Sequence, residues 1–146
     1  MDSQIIALIQ QTSLFRSTDE KDIQKLFKKY GMTIKRFQKG NTIGMRGDPY
    51  TQFMILLQGS VSSEMVNFNG SVLEVELIKA PRPLAPAFLF GQNNRLPVDI
   101  VANDAITVLY ISRESVINLF QENRMMLNHY LDAISNRAQF LSDRLW

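Results

Sequence analysis

The chain has 146 residues, a length that fits a single domain with a core of its own. It contains no cysteine and one histidine, which excludes disulfides, thiol nucleophiles and metal sites built from thiolates or several histidines. Sixteen basic and 14 acidic residues give a formal net charge of +2, which by itself does not indicate a nucleic-acid surface. No run of about 18 apolar residues is present for a membrane span, and the N-terminus lacks the basic region of a signal peptide. We therefore expect a cytoplasmic protein.

The first 31 residues have helical periodicity. Apolar residues recur at helical spacing in Ile5–Ile9 and again, on one face, in Ile23–Tyr30. Between them, Ser17–Glu20 predicts a capping box in which Ser17 begins the second helix. Gly31 stands where a left-handed residue is expected to end that helix.

Residues 32–111 have the period of strands. Leu73–Leu77 alternates strictly between apolar and acidic residues, and Asn69-Gly70 lies between two strand-like runs, which is a strong hairpin signal. Further turn signals at Lys39-Gly40 and Gly59 separate short strands, and this pattern predicts a β-sandwich or barrel.

One stretch within the strand region is rich in proline. Residues 80–97 hold four of the five prolines: Pro81, Pro83, Pro86 and Pro97. With Val98 added, residues 80–98 are here called the proline-rich segment. Such a stretch cannot be a central strand. Because long connections are uncommon in small β-domains, we expect it to be a functional loop.

The last 35 residues are predicted to form two helices, the first from an N-cap at Ser112 to Asn123. The second helix carries apolar residues spaced 4, 3, 4, 3 and 4, the heptad period of a two-stranded coiled coil. These residues, here called the heptad seam, are Leu127, Leu131, Ile134, Ala138, Leu141 and Leu145. We expect a homodimer; the alternative is a helix packed wholly on its own domain. The chain ends on Leu145-Trp146 with no helix stop signal, so we expect the helix to continue into another domain.

Three segments, in their order and spacing, carry a resemblance to a known family. They are Phe37–Asp48, Phe53–Val61 and Val108–Glu114. Together they resemble the sensor domain of the Crp/Fnr family of bacterial transcription regulators. The resemblance implies a mainly β fold with flanking helices: a double-stranded β-helix, cupin-like, of the cyclic nucleotide-binding type. It also implies a sensor domain over residues 1–111, a short helix and a dimerisation helix over 112–146, and DNA binding through a helix-turn-helix domain outside this chain.

The chain departs from the family pattern for cyclic nucleotides. Where relatives have a Gly-Glu pair for the ribose, this chain has Ala85-Pro86, and Leu96-Pro97 replaces the arginine and hydroxyl pair for the phosphate. A one-residue gap would bring Arg95 to the phosphate position, but no carboxylate would remain for the ribose. Poorly paired polar groups in an apolar site are costly, so we expect cyclic AMP not to be the effector. A cyclic nucleotide-binding module remains an alternative.

The proline-rich segment supplies the predicted effector pocket. Its candidate residues are Leu84, Ala85, Pro86, Phe88, Leu89, Phe90, Arg95, Leu96 and Val98. This version of the segment resembles the HcpR-type branch of the family, which responds to nitrosative stress. The branch implies nitric oxide as the signal and haem as its receptor, with Arg95 or another basic residue for a propionate. Another small apolar effector is the alternative.

Haem requires an axial ligand, and the absence of cysteine leaves histidine, methionine or tyrosine. His129 is the candidate ligand; the alternative is an ordinary surface histidine. Met65, Met125 and Met126 are further candidates, although methionine is more often core filler. A cupin-like metalloenzyme would need several histidines, so the sequence predicts a regulator rather than an enzyme.

Overall fold

The computed structural model describes residues 1–145. Two helices come first, strands fill the middle of the chain, and two helices follow. The helices are α1 Ser3–Gln10, α2 Glu20–Lys29, α3 Arg113–Glu122 and α4 Arg124–Arg144, with a one-turn 3-10 helix at Pro86–Phe88. The strands are β1 Thr33–Phe37, β2 Thr42–Gly44, β3 Gln52–Gln58, β4 Ser60–Val66, β5 Val72–Lys79, β6 Arg82–Leu84, β7 Asp99–Ala102 and β8 Ile106–Ser112.

The strands form two antiparallel four-stranded sheets that close into a roll. One sheet has the order β1-β8-β3-β6 and the other β2-β7-β4-β5. The central strands β3 and β8 are buried over Phe53–Leu57 and Ile106–Ile111, and their sequences are mostly apolar there for that reason. The edge strand β5 is largely exposed. This arrangement confirms the predicted double-stranded β-helix with flanking helices and a long C-terminal helix.

A continuous apolar core joins the roll to the helices at both ends of the chain. Ile6 and Ile9 of α1, Leu119 of α3 and Met126 of α4 are buried in the same cluster as the strands. The expected boundary between residues 111 and 112 therefore falls within one packed body. At that point Ser112 ends β8 and caps α3, as predicted, by accepting a hydrogen bond from the backbone N–H of Ser115.

Two local predictions have different outcomes. The Asn69-Gly70 hairpin is confirmed, because β4 and β5 pair on either side of it and Gly70 has a φ of 84°. The prediction that Ser17 begins α2 is wrong. Ser17 has a φ of 67°, while an N-cap needs extended backbone. Asp19 is extended and caps the helix by accepting from the backbone N–H of Asp22 at 2.8 Å.

The proline-rich segment begins as an edge strand. β6 pairs with β3 through Met54–Leu84 and Ile55–Pro83 and has no second neighbour in the sheet. Proline is tolerated there because an edge strand has one side free of ladder bonds. The prediction that this stretch is not a central strand is confirmed.

The helix α4 runs for 21 residues and leaves the roll as it proceeds. Met126 and Tyr130 are buried against the roll, while Leu141 is 45% exposed. Within residues 1–145, none of the helices combines the length and the apolar character that crossing a bilayer requires. The predicted continuation of the helix past Trp146 lies outside the described residues.

Candidate effector site

The first half of α4 meets the proline-rich segment at Tyr130. The Tyr130 ring packs edge-on against Phe53 and Phe90, with centroids 5.6 and 5.7 Å away, and tilted against Phe120 at 5.3 Å. Its hydroxyl donates a hydrogen bond to the carbonyl oxygen of Pro86. Burial raises the pKa of Tyr130 to about 12, so it stays a donor at neutral pH. Tyr130 therefore ties the helix to the segment.

A second tyrosine ties the segment to the roll. The Tyr50 hydroxyl donates to the carbonyl oxygen of Leu84 and accepts from the backbone N–H of Met54 at 3.0 Å. Burial raises the pKa of Tyr50 as well, which keeps that hydroxyl protonated. The two carbonyls held by tyrosines flank Ala85, which has a left-handed φ of 46°. The segment is thus anchored on both sides of a strained residue.

A small apolar cavity of about 10 Å³ lies beside Tyr130. Its walls come from residues 12–14, the central strand β3, the proline-rich segment and α4. The lining residues are Thr12, Ser13, Leu14, Phe53, Ile55, Pro83, Pro86, His129, Tyr130 and Ala133. Pockets for drug-sized ligands measure roughly 300–1,000 Å³, so this junction is closed.

His129, the predicted haem ligand, lines this cavity. Its Nδ1 lies 3.1 Å from the carbonyl oxygen of Leu14, and because a carbonyl oxygen accepts, Nδ1–H is the donor in this bond. Metal-bound histidines usually donate their second N–H in this way, because the bond fixes the ring and its tautomer. His129 is half-buried. The role of His129 as a haem ligand and the alternative of an ordinary surface histidine both stay predictions.

A group of charged residues lies further along α4. Arg137 donates from Nη1 and Nη2 to the two carboxylate oxygens of Glu76, at 2.9 and 2.7 Å. Arg82 of β6 donates from Nη2 to the same carboxylate at 3.2 Å. The three side chains are each partly buried. We call them the Glu76 cluster; sequence reasoning missed it, because the two ends of its main contact are 61 residues apart.

The predicted pocket residues are distributed among different environments. Leu84, Leu89 and Leu96 are buried in the core, and Pro86 lines the cavity. Half-buried residues that pack on the core are Ala85, Phe88, Phe90 and Val98. Arg95 is exposed, and its Nη1 donates to the carbonyl oxygen of Gly47 at 2.8 Å. The structure therefore brings Pro86 and His129 together, whereas Arg95 lies at another surface turn.

The heptad seam is mostly open to solvent. Leu131 and Leu141 are each 45% exposed, Leu145 is 84% exposed, and Ala138 is exposed. Ile134 is the member that packs against the core, and Leu127 is half-buried. Much of the seam thus remains available after the helix has packed on its own domain.

The junction offers haem a ligand atom but not the space. Nε2 of His129 suits iron, and the surrounding side chains are apolar, as a macrocycle requires. A cavity of about 10 Å³ cannot hold a porphyrin, and Arg95 is not placed to meet a propionate. In this closed conformation the residues do not fit the group.

Comparison with protein families decides the identity of the domain. The family described as the cyclic nucleotide-binding domain matches residues 34–123, more than half of the chain. The chain belongs to this family. Comparison with curated proteins finds no significant match for the domain.

The solved structures similar to this domain include transcription regulators of the Crp/Fnr type, which confirms the resemblance at the level of that family. A transcriptional regulator from Thermotoga maritima is 31% identical, with a TM-score of 0.77, covering 85% of this chain and 95% of that one. The sensor domain of the transcriptional regulator DNR from Pseudomonas aeruginosa has 19% identity and a TM-score of 0.77, covering 96% and 92%. The Thermus thermophilus catabolite activator protein has 15% identity and a TM-score of 0.77, covering 92% of this chain and 62% of that one. The HcpR-type branch stays a prediction.

Proposed function

We propose that this domain is the sensing and dimerisation part of a Crp/Fnr-type transcription regulator, with its effector acting where α4 meets the proline-rich segment. The observation that carries the proposal is the hydrogen bond from Tyr130 to Pro86. Because this bond joins the helix directly to the segment, an effector that moves the segment also changes how α4 is held. DNA would be bound by a helix-turn-helix domain outside this chain.

The exposed heptad seam supports dimerisation through α4. Leu131 and Leu141 leave about half of their surface in water, and a second copy of the same helix would cover them. A change in how the roll holds α4 would then reposition both helices of the dimer. This is the route by which an effector would reach the DNA-binding domains.

Sedimentation equilibrium of the 146-residue chain tests the dimer. Leu141→Glu places like charges across the seam without touching the core, so we expect it to dissociate the dimer by at least about tenfold. Asn136→Glu, on an exposed position away from the seam, adds the same charge and should leave the association constant unchanged. A monomeric wild type at micromolar concentration would contradict this part of the proposal.

For the effector, we propose nitric oxide sensed through haem at His129, which requires the junction to open. The supporting observations are that His129 lines the cavity and that its Nδ1 is bound to Leu14, so that Nε2 would be the nitrogen that binds iron. A different small apolar effector would use the same junction without the histidine. A cyclic nucleotide finds no carboxylate among the cavity-lining residues, so we expect no useful cyclic AMP binding.

Haem titration of the purified chain distinguishes these occupants. We expect a saturable, sharpened Soret band that shifts when nitric oxide is added, and an altered spectrum in His129→Ala. Asn128→Ala, an exposed neighbour on the same helix, is the control and should leave the spectrum unchanged. An unaltered spectrum in His129→Ala would contradict the assignment of His129 as the axial ligand. Absence of saturable binding would contradict haem as the cofactor. Calorimetry with cyclic AMP tests the remaining occupant. A Kd below about 10 μM would contradict the prediction that cyclic AMP is not the effector.

A further inference from the structure

Two arginines from different elements converge on a single carboxylate in the Glu76 cluster. Arg137 binds both oxygens of Glu76 in a two-pronged arrangement, and Arg82 adds a third charged hydrogen bond. The exposed fractions of the side chains are 25% for Glu76, 30% for Arg137 and 39% for Arg82. The planar guanidinium fork matches a carboxylate closely, so this geometry is a formed receptor for that group.

The cluster carries more positive than negative charge. Within residues 1–145, Glu76 is the one carboxylate that forms an ion pair with either arginine. Two guanidinium groups therefore share a single negative charge in a partly desolvated place. Such an excess favours a second anion, or one that replaces the first.

Each arginine is close in the chain to a residue that lines the junction cavity, although neither arginine lines it. His129, Ala133 and Arg137 follow at intervals of four on α4, so they share one side of the helix, and the first two line the cavity. Arg82 precedes Pro83, which lines the same cavity, but side chains alternate along a strand, so it is the bond to Glu76 that brings the Arg82 guanidinium near Arg137. A molecule that occupied the opened cavity and extended one helical turn past Ala133 would reach Arg137, and with it the place where Arg82 also binds Glu76.

We propose that Arg82 and Arg137 are the anion-binding part of the effector site, that Glu76 occupies it in the closed state, and that the effector is an apolar molecule bearing a carboxylate. Its apolar body would lie against Pro83, Pro86 and Ala133, and its carboxylate would replace that of Glu76. This inference rests on the proposed function, because it places the ligand at the same junction, and it names the chemical class of the alternative apolar effector that would use the junction without haem.

Binding of a matched pair of probes tests the inference. Octanoate and its neutral amide, octanamide, share an apolar chain but differ in charge, and the side-chain Nε–H NMR signals of Arg82 and Arg137 report their binding. Glu76→Gln removes the internal anion, so we expect it to bind octanoate about tenfold more tightly than the wild type and more tightly than octanamide. Glu76→Gln combined with Arg137→Gln should lose the preference for octanoate.

Arg95 supplies the matched control, because it is a surface arginine whose guanidinium is held at the Gly47 turn. Glu76→Gln combined with Arg95→Gln should keep the full preference for octanoate. Equal affinities for the two probes in Glu76→Gln would overturn the inference, as would an equal loss from the Arg95 and Arg137 substitutions. If Glu76→Gln does not fold, Glu76→Asp replaces it, because it keeps the charge but shortens the side chain. We expect its affinity for octanoate to lie between that of the wild type and that expected for Glu76→Gln.

These measurements use neither haem nor DNA and are made at one protein concentration. Failure here removes the anion-binding arginines and leaves the haem and dimer experiments unaffected. If the haem and dimer experiments fail while octanoate binds as expected, the carboxylate site stands. The proposed transmission from the effector site through α4 is then contradicted.

Discussion

The two ends of the contact between α4 and the roll are held by different physics. At one end the buried Tyr130 ring packs among Phe53, Phe90 and Phe120. At the other end Arg137, two turns further on, reaches the roll through an ion pair with Glu76 that water partly surrounds. The helix is therefore packed into the roll around Tyr130 and held further along by a partly solvated ion pair.

The magnitudes explain why the two ends would respond differently to an effector. An aromatic pair contributes about 0.5–1.5 kcal/mol beyond the burial of its surface, and Tyr130 makes three such contacts. An ion pair with substantial exposure contributes about 0–1 kcal/mol because solvent screens it. An anionic ligand can thus displace Glu76 at low cost, while the Tyr130 end keeps α4 attached to the roll.

The strongest test of this difference is Tyr130→Ala. Removing a buried aromatic side chain leaves a cavity next to one already present, so we expect unfolding to become easier by about 3–5 kcal/mol. Urea denaturation at a fixed protein concentration measures the loss. Asn136→Ala, at an exposed position on the same helix outside the heptad seam, should change the free energy of unfolding by no more than about 0.5 kcal/mol. Similar losses for the two variants would contradict the assignment of the anchor to Tyr130.

Alkaline pH tests the hydrogen-bonding part of the same anchor. Burial raises the pKa of Tyr130 from 10.0 to about 12, so above pH 10 the unfolded chain loses this proton before the folded chain does. Folding then binds protons, and stability falls as pH rises through the window from 10 to about 12. We expect Tyr130→Phe to lose less stability across that window than the wild type does in urea melts. It should also be less stable at neutral pH by about 1 kcal/mol, because the Pro86 carbonyl loses its donor.

Tyr50 is the internal comparison for that experiment, because burial raises its pKa too. Tyr50→Phe should likewise reduce the alkaline loss, and the double variant should reduce it further. Alkaline melts of Tyr130→Phe that run parallel to those of the wild type would show that this hydroxyl is not the group titrating.

Local features of this fold were predictable from sequence, since they depend on residues close together in the chain. The Asn69-Gly70 turn and the Ser112 cap follow from the backbone preferences of two to four residues. Ser17 and Asp19 are both good cap residues and stand two positions apart, so residue type alone does not decide which of them caps α2. The left-handed backbone at Ser17, which decides between them, is set by packing and not by composition.

The candidate site was only half predictable for a related reason. His129 was identified as the single histidine on a helix, but its contact with Leu14 spans 115 residues. The apolar residues of the proline-rich segment indicated a pocket, yet Leu84, Leu89 and Leu96 are used to complete the core. Apolar residues in a loop look the same in the sequence whether they line a ligand site or close the roll. Only the three-dimensional arrangement of the strands distinguishes the two.

The smallest expected effect belongs to the Glu76 cluster, where a double-mutant cycle sharpens the contrast with Tyr130. We expect Glu76→Gln and Arg137→Gln each to change the free energy of unfolding by no more than about 1 kcal/mol. Because Arg137 makes two parallel bonds to Glu76, their coupling should be measurable, at about 0.5 kcal/mol.

Salt distinguishes the two ends of the helix in the same cycle. At about 1 M NaCl the screening length falls to roughly 3 Å, so the coupling between Glu76 and Arg137 should shrink. The cost of Tyr130→Ala should not fall, because its contacts are apolar and uncharged. A coupling of several kcal/mol that salt leaves unchanged would mean that Glu76 is a fixed part of the fold. In that case an incoming carboxylate could not replace it, and the site of an effector would have to lie at the Tyr130 end alone.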